Sequence, residues 1–126
     1  MRLKALLTVS GALALVFGFG FYLAPVRTLA LYSASTGPVG YIMTRFFGAA
    51  LVQAGLILLS LRSVREPALA RNIAVGAGLG NLVGLHVALY AVRNHLVSEL
   101  GWSTVAIYAL LALGFGWFAF KPGSAT

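Results

Sequence analysis

Cysteine and aspartate are both absent from this chain, and its only acidic residues are Glu66 and Glu99. The lack of cysteine excludes disulfides, thiolate metal ligands and cysteine nucleophiles. Because both glutamates lie outside the long apolar runs, the sequence also excludes a carboxylate acid–base pair within a membrane and a Ser-His-Asp triad. Proton-coupled transporters of similar size need such an intramembrane carboxylate. The sequence therefore predicts a protein that is not an enzyme and holds no metal or other cofactor.

Charged residues of either sign are scarce. They make up 9% of the 126 residues, whereas 60% are hydrophobic. A soluble domain carries about 25% charged residues, so this composition predicts that lipid is the natural solvent. The net charge of +7 arises from nine Lys and Arg residues, which lie singly at the ends of apolar runs. This distribution is typical of membrane topology signals and argues against nucleic-acid binding.

Four runs are long and apolar enough to span a bilayer, which requires about 20 residues. They cover residues 5–24, 39–61, 69–92 and 102–120. Prolines punctuate helices without breaking them when they stand just outside such runs, as do Pro25, Pro38, Pro67 and Pro122. The prediction is an all-α, polytopic membrane protein: one domain, residues 1–126, folded as a four-transmembrane-helix bundle.

The first run is long for a signal peptide and lacks a small-residue cleavage site after it, so we expect a retained anchor. The cations predict the orientation of the spans. One side carries six of them, namely Arg2, Lys4, Arg62, Arg65, Arg71 and Lys121, and the other carries three, namely Arg27, Arg45 and Arg93. The side with six is expected to be cytoplasmic, with both termini inside.

The loop of residues 25–38 is not simply polar, since Val26, Leu29, Ala30 and Tyr32 interrupt it. This pattern favours a short helix lying in the membrane interface. An ordinary loop tucked over the bundle is the alternative.

Two amides lie near the middle of the second and third runs. Gln53 falls between Arg45 and Arg62, and Asn81 falls between Arg71 and Arg93. Because a short connection usually makes consecutive helices antiparallel neighbours, we expect Gln53 and Asn81 to form an interhelical polar contact. The alternative is that they contact a ligand or ion at mid-depth.

Small residues share the helical face of Asn81, a pattern suited to close backbone approach. They are Ala74, Ala77, Gly78, Gly84 and Ala88. Two overlapping GxxxG spacings also run through the third span. They predict packing within the bundle or a homo-oligomer through Gly76, Gly80 and Gly84.

His86, Tyr90 and Arg93 form a separate stripe on the third span, because their spacings are four and three residues. A histidine in a membrane usually bonds to a neighbouring helix, and contact with a ligand is the alternative. Haem ligation is disfavoured, since the only other histidine, His95, lies at the end of the same helix and is wrongly spaced to be a second axial ligand.

Arg45 is the most costly residue of the second span. It lies six residues into the run, so its side chain either reaches the outer headgroups or points inward. By depth, Arg45, His86, Tyr90 and Tyr108 can converge on an apolar cavity in the outer half of the bundle. These four are the predicted ligand-binding residues, and an anionic or carbonyl-bearing lipophile suits the guanidinium.

Three short pieces of the chain carry a resemblance. Arg45-Phe46-Phe47-Gly48 lies in the second span, Gly80-Asn81 in the third, and Gly101-Trp102 opens the fourth. With the surrounding residues 20–120, the sequence resembles a widespread group of small bacterial four-span proteins of uncharacterised function. The resemblance implies a four-helix bundle in the bacterial inner membrane and implies no activity.

The leading functional hypothesis is a non-enzymatic integral membrane protein. It is either an accessory subunit of a larger membrane complex or a binder of a lipid or a quinone-like apolar molecule, with membrane lipids and other subunits as partners. The alternative is a small oligomeric channel or uniporter built around Asn81 or His86. A channel needs a continuous polar path, and only Gln53, Asn81 and Tyr108 populate the middle of the spans. This favours the first hypothesis.

Overall fold

Residues 2–121 of the computed structural model are described here, and they contain α-helices and no strand. In chain order the helices are α1 (Leu3–Leu23), α2 (Pro25–Leu31), α3 (Pro38–Ser60), α4 (Pro67–Arg93) and α5 (Gly101–Phe120). All except α2 are long and apolar enough to cross a membrane. The chain is therefore an all-α, multi-pass membrane protein, as predicted, and the four spans match the expected bounds to within two residues.

Prolines set where three of the helices begin. Pro25, Pro38 and Pro67 each occupy the first residue of a helix, where the missing N–H costs nothing and the fixed φ suits the turn. Before α4, the Glu66 carboxylate accepts hydrogen bonds from the N–H groups of Ala68 and Leu69, at 3.0 and 3.1 Å. Its negative charge also favours the positive end of the helix dipole. The predicted punctuation is confirmed for these prolines, and Pro122 lies outside the described residues.

The four long helices form two antiparallel pairs, α1 with α3 and α4 with α5, and α1 touches α5 along a smaller surface. α3 and α4 barely touch, although only a 3-10 turn (Leu61–Ser63) and residues 64–66 connect them. The prediction that these two helices are neighbours along their length is wrong. A short connection limits the distance between two helix ends, whereas the shapes of the helix faces decide which surfaces pack.

Glycines bring the backbones of α1 and α3 into direct contact. A Cβ on Gly18 would lie 2.9 Å from the carbonyl oxygen of Gly48, and one on Gly55 would lie 2.8 Å from the carbonyl oxygen of Gly11. Gly11 and Gly18 are seven residues apart in α1, and Gly48 and Gly55 are seven residues apart in α3. In each helix the two glycines therefore lie on one face, two turns apart. Only a residue without a side chain permits this approach, and dispersion contacts between close backbones are a main source of helix association in lipid.

The two pairs are joined at one end of the bundle, which we call the terminal end. α1 and α4 begin at this end, and α3 and α5 finish there. Leu3, Leu7 and Phe115 are fully buried there. The residues packed around them are also buried and come from α1, α4 and α5: Leu6, Ala70, Ala74, Leu111, Phe118 and Ala119. This cluster is the core of the protein, and it draws on residues far apart in the chain.

The small-residue face predicted on α4 is the face that packs. Ala74, Gly78 and Ala88 are buried. The helix that covers them is α5, since a Cβ on Gly78 would lie 3.5 Å from the Cβ of Phe115. The sequence thus identified the packing surface of α4 correctly but assigned it to the wrong neighbour.

At the opposite end, which we call the distal end, the loop after α2 links the two pairs. The Tyr32 side chain is buried, its hydroxyl lies 2.9 Å from the hydroxyl of Thr104 on α5, and its carbonyl accepts the N–H of Ser98 at 2.8 Å. Ser33 follows with a positive φ of 55°, which changes the direction of the chain after α2. The short helix predicted in residues 25–38 is therefore present as α2, and its last turn leads directly into this link.

Candidate functional site

Arg45 is tied to the end of α1. Its Nη1 donates to the carbonyl oxygen of Tyr22 at 2.8 Å, and the side chain is exposed. Tyr22 belongs to the last turn of α1, where backbone carbonyls have no donor within their own helix. A cation at this position also favours the negative end of the helix dipole. The guanidinium therefore satisfies a backbone group and fixes the distal ends of α1 and α3 together.

This contact leaves most of the guanidinium available. Arginine has five N–H donors, and the Tyr22 carbonyl occupies one of them. Arg45 also lines a cleft at the junction of α1, α2 and α3, which we call the arginine cleft. It measures about 340 Å³ and is lined by Leu23, Ala24, Pro25, Val26, Arg27 and Arg45. Two arginines and four apolar residues thus line the cleft, and among residues 2–121 no acidic residue lines it.

Arg27 was not among the predicted ligand-binding residues. It lies two residues after Pro25, so the first turn of α2 places it beside the end of α1. Its spacing from proline was a usable signal, because a helix that starts at Pro25 fixes the direction in which residue 27 leaves the backbone. The connection from Leu23 to Val26 then supplies the apolar wall between Arg27 and Arg45.

His86 and Tyr90 lie in a second cleft of about 370 Å³, together with Leu89, Arg93 and Asn94. All five residues belong to α4 or to the residue that ends it. A groove on one helix has no opposing wall, so it encloses a ligand poorly. The predicted stripe of His86, Tyr90 and Arg93 is therefore real, yet no second helix among the described residues covers it.

Tyr108 lies elsewhere again. Its ring covers Gly84 at the contact between α4 and α5, and the side chain is half-buried. The prediction that Arg45, His86, Tyr90 and Tyr108 converge on one cavity is wrong, since the two clefts share no residue and Tyr108 lines neither. Similar depth in the membrane fixes only one coordinate of a side chain. The direction in which it points depends on how each helix is rotated by its own packing.

The structure does not bring Gln53 and Asn81 together either. Asn81 is half-buried, and its Nδ2 donates to the Ala77 carbonyl of its own helix at 2.8 Å. Gln53 is exposed on α3, and its side chain makes no hydrogen bond with any residue from 2 to 121. The predicted interhelical contact is thus absent because α3 packs on α1 instead of α4. An unpaired amide in hydrocarbon costs several kcal/mol, so the position of Gln53 needs another explanation.

The three glycines of the GxxxG pattern have different surroundings. A Cβ added to Gly76 or Gly80 would meet nothing within 4 Å, whereas at Gly84 it would collide with the ring of Tyr108. Gly84 therefore serves packing within the chain. Gly76 and Gly80 remain open on the surface of α4, and the homo-oligomer predicted through all three residues loses Gly84 as a contact.

Metal chemistry has no evident centre in the described part of the chain. Among residues 2–121, no three His, Asp or Glu side chains lie close enough together to hold a metal ion. The charges that stand out are the guanidiniums of the arginine cleft, which suit an anion.

Comparison with protein-family models, with curated proteins and with solved structures finds no match to this chain. The resemblance to small bacterial four-span proteins therefore stays a hypothesis. The fold and the arginine cleft are the features on which a functional argument can rest.

Proposed function

We propose that this protein is a non-enzymatic integral membrane protein that binds the anionic headgroup of a lipophile in the arginine cleft. The observation that carries the proposal is that Arg27 and Arg45 line one cleft with apolar residues, and that no acidic residue among residues 2–121 lines it. Guanidiniums bind phosphates and carboxylates through two parallel hydrogen bonds. Because Arg45 is already held by the Tyr22 carbonyl, less side-chain freedom is lost when it binds an anion.

The walls of the cleft explain why the ligand should also be apolar. Leu23 is 65% exposed and Val26 is 55% exposed, so the residues on either side of the cleft turn toward lipid. A small soluble anion would leave these surfaces unused, whereas an acyl or prenyl chain would lie along them. A site that combines an oily wall with a few polar groups is the usual form for such ligands.

We propose, from the distribution of charge, that the cleft lies in the outer leaflet of a bacterial inner membrane. Six of the nine cations of the chain belong to the terminal end or to the connections beside it, and Arg27, Arg45 and Arg93 belong to the distal end. The positive-inside rule then puts both termini in the cytoplasm.

Reporter fusions test this topology. A cytoplasm-active reporter joined after Lys121 should be active, and the same reporter inserted after Ser98 should be inactive, with opposite results for a reporter active outside. Equal signals from both positions would mean that the chain inserts in two orientations, and this would contradict a cleft confined to one leaflet.

Native mass spectrometry tests the binding proposal. We expect detergent-solubilised protein to retain phosphatidylglycerol over phosphatidylcholine when both are supplied equally. Arg27→Ala should lower the retained phosphatidylglycerol about tenfold, as expected for the loss of one charge-assisted hydrogen bond. The Arg27 side chain makes no hydrogen bond within residues 2–121, so this variant tests the site without disturbing the Tyr22 contact.

Arg93→Ala is the matched control, because Arg93 carries the same charge at the same end of the bundle but lines the groove on α4. It should leave phosphatidylglycerol binding unchanged. Equal losses in both variants would show that the lipid responds to total charge only, and unchanged binding in Arg27→Ala would contradict the proposed site. If inorganic phosphate by itself displaced the retained phosphatidylglycerol, the acyl chains would contribute nothing to binding.

The channel hypothesis receives less support. Gln53 and Asn81 lie on different helix pairs, and Asn81 is bonded within its own helix. A conducting path needs polar groups in series through the bilayer, and these residues do not provide one within a single copy. An accessory subunit that carries a bound lipid remains compatible with the arginine cleft.

A further inference from the structure

One face of α3 is exposed along its whole length in the part of the chain that the structure describes. At 100° per residue, the side chains within about 60° of Gln53 form this face, and all of them between Val39 and Ser60 are exposed. Gly48 and Gly55, which contact α1, lie on the opposite side of the helix. Exposed apolar side chains are expected in lipid, so the feature that calls for an explanation is the amide at the centre of the face.

Gln53 lies deep in the membrane-spanning part of α3. It is about 12 Å along the helix from Arg45 and about 14 Å from Arg62, at 1.5 Å per residue. Snorkelling is therefore not available to its short side chain. Thr44, Ser60 and Asn81 each donate to a carbonyl four residues earlier in their own helix. Gln53 makes no such bond, so its donors and acceptor point outward from the protein.

We propose that this face binds a second copy of the chain, with the two-fold axis along the membrane normal and Gln53 at the contact. Two copies inserted in the same direction place their Gln53 side chains at identical depth. A primary amide both donates and accepts, so Gln53 and the partner's Gln53 can form two reciprocal hydrogen bonds. A lipid tail offers no polar group at this depth, and an unrelated subunit would have to supply one at the matching height.

The surroundings of Gln53 suit this contact. Ala49 and Ala50 flank it one turn earlier, and small side chains allow two helices to approach closely. Phe46 and Ile57 lie before and after Gln53 on the same face and are exposed. In a dimer they would pack around the two Gln53 amides and keep other polar groups away from them. The nearest cation, Arg45, lies about 80° around the helix and is held by Tyr22. The face therefore carries no charge that would repel its copy.

Disulfide crosslinking in vesicles tests this contact, because the chain has no cysteine of its own. Ala49→Cys places a thiol on the proposed face, and Val83→Cys places one on the exposed surface of α4, where Val83 is 66% exposed. In phosphatidylcholine vesicles under mild oxidation, Ala49→Cys should give a crosslinked dimer and Val83→Cys should not. Adding Gln53→Leu to Ala49→Cys should lower the dimer about tenfold at equal protein-to-lipid ratio.

Two further measurements separate dimerisation from folding. Gln53→Asn keeps an amide and should retain most of the crosslink. Gln53→Leu should leave the helix content and the retention of phosphatidylglycerol unchanged, because Gln53 is exposed, lies opposite the glycines that contact α1 and does not line the arginine cleft. Loss of dimer with lipid binding intact would therefore support this inference independently of the proposed function.

Three results would overturn the inference. One is an undiminished dimer after Gln53→Leu. Another is crosslinking through Val83→Cys but not through Ala49→Cys, which would assign the contact to α4. The third is crosslinking of Ala49→Cys in native membranes to a different protein only, which would make the occupant a heterologous subunit.

Discussion

The two helix pairs are held together by different kinds of contact. α1 and α3 meet backbone to backbone, so that a Cβ on Gly48 would lie 2.5 Å from the amide nitrogen of Tyr22. α4 and α5 pack less closely: the ring of Tyr108 covers Gly84, and a Cβ on Gly78 would lie 3.5 Å from the Cβ of Phe115. The contact at Gly48 leaves no room for adjustment, because the atoms nearest to it are all main chain. The contact at Gly84 can adjust, because a ring can turn about its side-chain bonds.

The comparison shows that a regular spacing of glycines does not by itself indicate what they contact in this protein. Gly11, Gly18, Gly48 and Gly55 touch backbone, Gly84 is covered by a ring, and Gly76 and Gly80 touch nothing within 4 Å. The GxxxG pattern of α4 is the more familiar sequence signal, yet the seven-residue spacing in α1 and α3 marks the tighter contact. Substitution by alanine should therefore give three distinct sizes of effect.

Gly48→Ala should have the largest effect. Its added methyl would lie 2.7 Å from the carbonyl oxygen of Gly18, so the helices must separate along their contact. We expect a loss of about 3 kcal/mol in the free energy of unfolding, at the upper end for overpacking. Unfolding in mixed micelles, followed by circular dichroism, measures it. Gly116→Ala is the control, because a Cβ there would meet nothing within 4 Å, and an equal loss in both variants would refute the comparison.

Gly84→Ala should have an intermediate effect, about 1 to 2 kcal/mol, because only the ring of Tyr108 has to move. Tyr108→Leu should relieve the collision, so the double variant should be more stable than the sum of the two losses predicts. The same unfolding measurement gives the coupling energy. Strictly additive losses would mean that the ring does not limit the approach of α4 and α5.

Gly80→Ala should have the smallest effect, within about 0.5 kcal/mol of the parent protein, because open space surrounds that position. The measurement should be repeated at several protein-to-detergent ratios. A loss that grows with protein concentration would show that a second copy covers this surface. It would then restore Gly76 and Gly80 as an oligomer contact and contradict the assignment of the contact to α3.

Much of the fold could be predicted from composition and punctuation. Long apolar runs fix the number and length of spans, and the prolines at positions 25, 38 and 67 fix three helix starts, since the ring of proline limits what can precede it. The arrangement of the spans could not be predicted in the same way. Lipid is as apolar as a leucine face, so hydrophobicity does not say which faces meet. The decisive residues were Gly18 and Gly48, which carry no hydrophobic signal at all.

The candidate site was only partly predictable for a related reason. A guanidinium inside an apolar run is costly, so the sequence indicates that Arg45 needs a polar partner. Its partner was a backbone carbonyl of Tyr22, and a sequence gives no sign of which carbonyls lack a donor until the helix ends are known. Gln53 was assigned to Asn81 on depth alone. Its rotation away from α4 follows from the glycines on the opposite side of α3, which turn toward α1.

The distribution of contacts also sets an order for the assembly of this protein. The residues that form the pair of α1 and α3 all precede α4 in the chain, so these two helices can pack before α4 and α5 join them. Leu3 and Leu7 must wait, because Phe115, the largest fully buried side chain of their cluster, belongs to α5. Tyr32 waits similarly for Thr104. Leu3 and Leu7 are thus among the last residues to reach their final surroundings, and lipid surrounds them until then.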